Sequence, residues 1–296
     1  MKKFKFMSLI LASAVALVAC GNESTEVDSK ANEEDKVFYI GAIPDQDAAL
    51  LQNNMDKLAD YLSEETGLNV EYTSSVDYAA LVTGFERSEV HMAWFGGLTS
   101  VQAMAVAPEA QAIVQRPRDE QFTSVFVANP SLGLSSLEDV KGKSLTFGSE
   151  SSTSGHLMPR HFITEAGINV ETDLSQAPNF SGSHDTTYKL VEAGTYEVGA
   201  LNSAVWETAV KENKVDTSKV DVFYVTPEYY DYNFTINNVD AEFGEGTVEK
   251  VKAALLAMDE EQKEILDFFA TDKFIETKNE NYDAIRDVAK SLGIIK

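Results

Sequence analysis

The regular alternation of strand-like and helix-like runs is what most restricts the fold of this chain. Val37–Ile43 is a short apolar run that stops at Pro44. Leu51, Met55, Leu58 and Leu62 follow at spacings of 4, 3 and 4, one face of a helix that ends near Gly67. Strand-like Asn69–Thr73, a helix from about Tyr78, and strand-like His91–Phe95 running into Gly96 and Gly97 come next, then a small helix before Ala110–Val114. Such alternation predicts an α/β fold of largely parallel sheets with helices on both faces. Gln121–Ala128 has strand composition but follows Arg116, Pro117 and Arg118 with no helix between, which suits a strand crossing out of a first lobe.

A second lobe holds Ser144–Phe147, a hydroxyl-rich turn and a helix to Gly167. A turn at Phe180–Asp185 opens another helix, and Tyr196–Leu201, a helix through Trp206 and Val220–Val225 follow. Tyr229–Phe234 then recrosses, and the helices after Gly246 complete the first lobe. The expected organisation is lobe 1 from 37–122 and 230–296 and lobe 2 from 123–229, two α/β lobes joined by two crossing strands and hinged about a ligand cleft.

Residues 1–20 carry a basic start (Lys2, Lys3, Lys5) and an apolar run from Met7 to Ala19, too short to span a bilayer comfortably and built like an export signal. The run ends in Leu17-Val18-Ala19-Cys20, similar to the lipobox of bacterial lipoproteins, so Cys20 is the expected lipidation site. An incidental signal-peptide cysteine is the disfavoured alternative. Cys20 is the only cysteine, which excludes an intrachain disulfide and an all-cysteine metal site. Residues 21–36 lack an apolar pattern and read as a solvated tether. The chain is thus expected on the extracytoplasmic face of the cell membrane, held by a lipid anchor.

The formal charge is −24. It reaches about −27 once the three signal lysines leave, a surface that repels nucleic acid and anionic headgroups. Salt screens that field within about 8–10 Å, so a closed pocket with its own donors can still hold an anion.

Such a pocket is suggested by Gly148–Pro159 (GSESSTSGHLMP), which holds five hydroxyls and no lysine or arginine. It lies between a strand and a helix, where free backbone N–H groups and the helix dipole favour an anion. Ser181–Asp185 (SGSHD) is a second strand-to-helix turn, and His184 in it can donate hydrogen bonds. Either turn alone reads as ordinary capping; together they suggest one shared pocket. Tyr78, Trp94, Phe95 and Phe122 are candidates for its opposing wall, although each aromatic taken singly fits a core position. Neutral hydroxyls and amides suffice for an anion, because hydrogen bonds to a charged acceptor contribute about 1.5–3 kcal/mol each. Several of them reach micromolar affinity, about −8 kcal/mol, and leave release possible.

Catalysis is disfavoured. Gly142-Lys143-Ser144 has only the tail of a Walker A motif and precedes a strand. Ser154, His184 and Asp185 lack a G-x-S-x-G elbow. His91, His156, His161 and His184 show no i,i+4 pair, so neither a metal nor a cofactor is expected.

Val76–Ala80 (VDYAA), Ala93–Gly97 (AWFGG), Ser152–Gly155 (STSG) with Pro159, and Gly182–Asp185 (GSHD), in this order, resemble the substrate-binding lipoproteins of phosphate/phosphite/phosphonate ABC importers. The resemblance spans the whole mature chain. Ile43–Asp47 (IPDQD), Trp94–Thr99 (WFGGLT), Phe147–Gly155 (FGSESSTSG) and Phe180–Asp185 (FSGSHD) look closest to a subgroup carried under the name of selenate-binding proteins. The resemblance implies a type II periplasmic-binding-protein fold closing on a small tetrahedral oxyanion. It implies ligand contacts from Ser152, Thr153, Ser154 and His184 of the second lobe and Tyr78 of the first. It also implies a membrane permease with its ATPase as partners, and a monomer. Phe122 stands where phosphonate binders carry a tyrosine, and the acid that recognises an aminoalkyl group is replaced near Val205, with Asp231 a second such acid if the alignment is gapped. These departures favour a compact inorganic anion. An exported phosphoester hydrolase, or a sensor lipoprotein without a permease, are the competing readings.

Overall fold

Strand β1 (Val37–Ala42) gives way after Pro44 to helix α1 (Ala48–Thr66) because Asp47 caps it, accepting hydrogen bonds from the Ala49 and Leu50 amides. The computed structural model describes residues 36–296; Cys20, the signal run and nearly all of the tether lie outside the described residues. Leu51, Met55, Leu58 and Leu62 form the buried stripe of α1, and Gly67, at φ 70°, ends it in the left-handed region. Then follow β2 (Asn69–Tyr72), α2 (Tyr78–Glu86), β3 (Met92–Phe95), α3 (Gly97–Val106) and β4 (Gln111–Gln115).

A turn of 3₁₀ helix at Pro117–Gln121 leads to β5 (Ser124–Ala128), β6 (Leu145–Phe147), α4 (Met158–Glu165), β7 (Asn179–Phe180), α5 (His184–Glu192), β8 (Val198–Asn202), α6 (Ser203–Lys211) and β9 (Asp221–Val225). The chain returns through β10 (Asn233–Ile236), α7 (Asp240–Phe243), α8 (Thr247–Ala257), α9 (Lys263–Phe268), β11 (Ile275–Glu276) and α10 (Asp283–Ser291).

Two sheets result. One has the order β11-β4-β10-β3-β1-β2 and the other β7-β6-β8-β5-β9. The expectation of largely parallel sheets is corrected here. β1 pairs in parallel with β2 and β3, and β6 with β7 and β8, but β5 and β10 run antiparallel to both of their neighbours, and β11 to β4. The reason is the direction of entry. The chain enters β5 and β10 from the crossing between the sheets, so they run opposite to the strands beside them. At the crossing, Phe122 and Tyr229 exchange both backbone hydrogen bonds, at 2.8 and 2.9 Å. One apolar cluster surrounds the six-stranded sheet and two smaller ones cover the faces of the other.

Candidate oxyanion site

The hydroxyl-rich turn after β6 is built for donation. Ser152 Oγ accepts the Gly155 N–H at 2.9 Å, and Leu157 N–H reaches back five residues to Ser152 O, opening a wide π-type turn before α4. Thr153 Oγ1 accepts the Leu98 N–H at 2.9 Å, which ties this turn to the start of α3 in the other sheet's layer. A hydroxyl that accepts through its oxygen keeps its hydrogen for another partner. Ser152 and Thr153 can therefore still act as donors.

Close packing demands glycine at one point of this turn. A Cβ on Gly155 would lie 2.9 Å from both His184 Cε1 and Ser152 Oγ. The second turn is thus pressed against the first. His156 closes the far side, its Nδ1 2.7 Å from Glu150 O and its ring between Phe147 and Phe180.

Tyr78, Phe122, Ser152, Thr153, Ser154 and His184 are all buried. Tyr78, at the start of α2, has a hydroxyl with no hydrogen-bond partner. Burial pushes its phenol well above the usual value, the Asp45 charge adds to this, and nearby Ser152 opposes it. Ser154 lies near Tyr229, whose hydroxyl is 2.5 Å from Ser124 Oγ; Ser124 in turn donates to Ser154 O at 2.8 Å. Phe122 is packed against Tyr229 and Tyr232 at the crossing and offers the turn no polar group.

His184 is more committed than a free donor. Its Nδ1 accepts the Asn202 N–H and its Nε2 lies 3.3 Å from the Tyr232 hydroxyl. That hydroxyl donates to Asp45 Oδ2 at 2.9 Å and accepts from Asn202 Nδ2 at 2.9 Å. With its hydrogen spent on Asp45, Tyr232 can only accept from His184, which fixes the hydrogen on Nε2. Burial lowers the His184 pKa to about 4, so the ring is neutral at physiological pH. His184 N–H also donates to Asp45 O at 3.0 Å, across the seam.

Sequence reasoning missed Asp45, Asn202, Tyr232 and Arg116. Three of these sit at or just after strand ends, where open α/β sheets place their ligands, so strand-end position was the available signal. Arg116 is a buried cation one layer behind the site. Its guanidinium makes two 2.6 Å bonds to Asp119, donates to Phe269 O at 2.9 Å, and lies 5.3, 5.6 and 4.9 Å from the ring centroids of Trp94, Phe122 and Tyr232. Burial works against its charge and Asp119 outweighs burial, so the guanidinium holds its proton more tightly than usual. Asp45, Trp94, Arg116, Asn202, Val205 and Tyr232 also line a cavity of about 620 Å³ between the sheets.

Of the two acids singled out in the sequence, only Asp231 reaches the turn. Asp231 is fully buried, its Oδ1 accepts the Gly97 N–H at 2.9 Å, and its Oδ2 has no partner. Asp185 instead accepts from Lys189 and Ser183, each at 2.7 Å, with its side chain 22% exposed.

In sequence and fold the chain matches a known set of proteins. The profile of the ABC transporter phosphonate periplasmic substrate-binding protein family matches residues 40–282. The chain belongs to this family. It is 40% identical over 271 residues, 88% of this chain and 91% of the relative, to a Prochlorococcus marinus protein described as a probable ABC transporter phosphite binding protein, PhnD1. The structure of that PhnD1 in complex with methylphosphonate superposes with a TM-score of 0.85 at 38% identity, covering 89% of this chain and 100% of the other. A phosphate-import protein, PhnD, of Mycolicibacterium smegmatis is 28% identical over 212 residues, 67% of this chain and 66% of the relative. The fold is the type II periplasmic-binding-protein fold, and the protein is an extracytoplasmic solute-binding component of a phosphonate/phosphite ABC importer, not an enzyme.

Proposed function

We propose that this protein captures phosphite or a small phosphonate by closing two lobes, 37–122 with 230–296 and 123–229, and delivers it to a membrane permease driven by an ATPase. The observation that carries this reading is the meeting of buried polar atoms at the seam: the Tyr78 hydroxyl and Asp231 Oδ2 without partners, beside the hydroxyls of Ser152 and Thr153. Ser154 lies beside them, His184 holds the second turn against the first, and Phe122 shapes the wall. The phosphite-binding name and the methylphosphonate complex of the Prochlorococcus relative agree with a compact ligand. Val205 stands near the position where the resemblance places the amine-recognising acid of phosphonate binders, and it has no carboxylate.

Thr153→Ala is expected to weaken phosphite and methylphosphonate binding by about 1–3 kcal/mol, the cost of leaving a charged acceptor unpaired, and His184→Ala to weaken it through loss of the junction with Tyr232 and Asn202 that holds the second turn against the first. Both compact ligands are expected to outcompete 2-aminoethylphosphonate. Titration calorimetry on the two variants, with a competition series, checks this. Unaltered affinity in both variants would mean that the turn only starts a helix.

The same reading includes a lipid anchor at Cys20, with the monomer diffusing along the membrane around its tether. No helix among the described residues is long and apolar enough to cross a membrane. Cys20→Ser is therefore expected to release the protein from the membrane fraction or leave it unprocessed. Membrane retention of a fully processed Cys20→Ser protein, followed by fractionation and blotting, would overturn the anchor.

A further inference from the structure

His156 is a buried titratable group to which oxyanion capture gives no direct part. It follows Gly155 at the end of the hydroxyl turn, whose amides reach back five residues, Leu157 N–H to Ser152 O and Met158 N–H to Thr153 O. Widened turns of this kind are rare and gather at functional sites. His156 Nδ1 lies 2.7 Å from Glu150 O, which ties the end of the turn back to the segment leading into it. A carbonyl only accepts, so the ring hydrogen sits on Nδ1. Nε2 is left with a bare lone pair, buried and unpartnered, in a side chain 4% exposed. An unpaired buried nitrogen is destabilising, and a phenylalanine in the same space would not carry it.

The surroundings of the ring give a reason for histidine. It packs on Phe147 at 5.0 Å and 59° and on Phe180 at 4.8 Å and 88°, and those two rings stack on each other at 5.8 Å. Phe147 ends β6 and Phe180 ends β7, so each stands at the base of one of the two strand-to-helix turns. With its ring His156 touches both bases, and with its hydrogen it pins the first turn.

We propose that His156 is a positioning residue for ligand capture, its Nδ1–H bond to Glu150 O holding the Ser149–Ser152 approach so that the Ser152 and Thr153 hydroxyls are set before the ligand arrives. This rests on the oxyanion reading above and adds a residue that acts through the turn rather than on the ligand. A turn already held in its bound shape spares the ordering that binding would otherwise require. Burial lowers the His156 pKa to about 4; Glu150 O opposes this, Arg160 adds to it and Glu171 opposes it. Arg160 and Glu171 are paired at 2.7 Å, so together they bring no net charge. The ring is therefore neutral at physiological pH, and its one hydrogen stays with Glu150 O.

His156→Phe and His156→Asn separate the hydrogen bond from the packing. Phenylalanine keeps a ring on Phe147 and Phe180 but has neither the donor nor the orphaned nitrogen. Asparagine keeps an N–H donor at the branch position of Nδ1 and loses the ring. The test is calorimetry with methylphosphonate, urea denaturation and amide hydrogen exchange on the full chain. His156→Phe is expected to bind about three- to tenfold more weakly, the effect of one hydrogen bond. Its denaturation midpoint is expected to equal or exceed the native one, with faster amide exchange over Ser151–Gly155. His156→Asn is expected to be less stable yet to recover most of the affinity. Native affinity and exchange in His156→Phe, or affinity losses that track stability losses in the two variants, would overturn the positioning role. His156→Phe decides the matter by itself if the asparagine variant fails to fold. Failure of the native protein to bind methylphosphonate would instead overturn the oxyanion reading.

Discussion

Arg116→Met is expected to destabilise the protein by about 3–5 kcal/mol, because it leaves the Asp119 carboxylate buried without its counterion. Both partners are almost wholly removed from water, with Arg116 6% and Asp119 0% exposed. The two 2.6 Å bonds between them are joined by a third, at 2.9 Å, from Arg116 to Phe269 O. Asp119 also accepts the Arg116 backbone N–H at 3.1 Å, which holds the turn that leads to the crossing. Asp119→Asn keeps that acceptor but strands the guanidinium. The two substitutions together remove both charges, so the double variant is expected to be more stable than the sum of the singles by about 1–3 kcal/mol. Urea denaturation of the three variants measures this. A loss under about 1 kcal/mol in Arg116→Met would mean that the pair contributes little beyond its own desolvation.

Trp94→Ala is expected to cost about 3–5 kcal/mol, the range for emptying a buried aromatic site. Trp94, on β3, is 4% exposed and packs on Phe234, Phe269 and Phe274, with centroids at 4.8, 5.0 and 6.2 Å. Its other face supports function. It stacks on Tyr232 at 5.4 Å and 23°, and Tyr232 holds Asp45, Asn202 and His184 together. Ligand affinity is therefore expected to fall along with stability, whereas Trp94→Phe, which keeps a ring on Tyr232, should lose less of both. Denaturation and calorimetry on the two variants separate these effects. Normal affinity in a folded Trp94→Ala protein would show that the Tyr232 junction does not depend on this support.

What the sequence could reveal was governed by local rules. The α1 stripe, the capping Asp47 and the Gly67 stop depend on residues a turn apart, so periodicity was enough to read them. The hydroxyl turn was legible for the same reason, since Ser152, Gly155 and Leu157 bond within a single turn. The short runs quoted for the family resemblance carried the fold and the class of protein without any coordinates.

Three features had no local signal. The direction of β5 and β10 depends on which sheet edge the chain enters from, and alternation of strand and helix is silent on that. Asp185, in the first turn of α5, and Asp231, between two tyrosines, are both acids near the site. Lys189 and Ser183 outweigh the burial that would raise Asp185 and keep it ionised, whereas complete burial leaves Asp231 Oδ2 unpartnered. Arg116 read as one half of a basic break around Pro117 and became the buried cation only because Trp94, Phe122 and Tyr232 converge on it from three parts of the chain. Sequence alone thus determined most of the elements and the family, whose signals are carried by neighbours along the chain. Tertiary structure decided which acid, which cation and which hydroxyls meet, because burial and partner choice arise only when residues far apart in sequence are packed together.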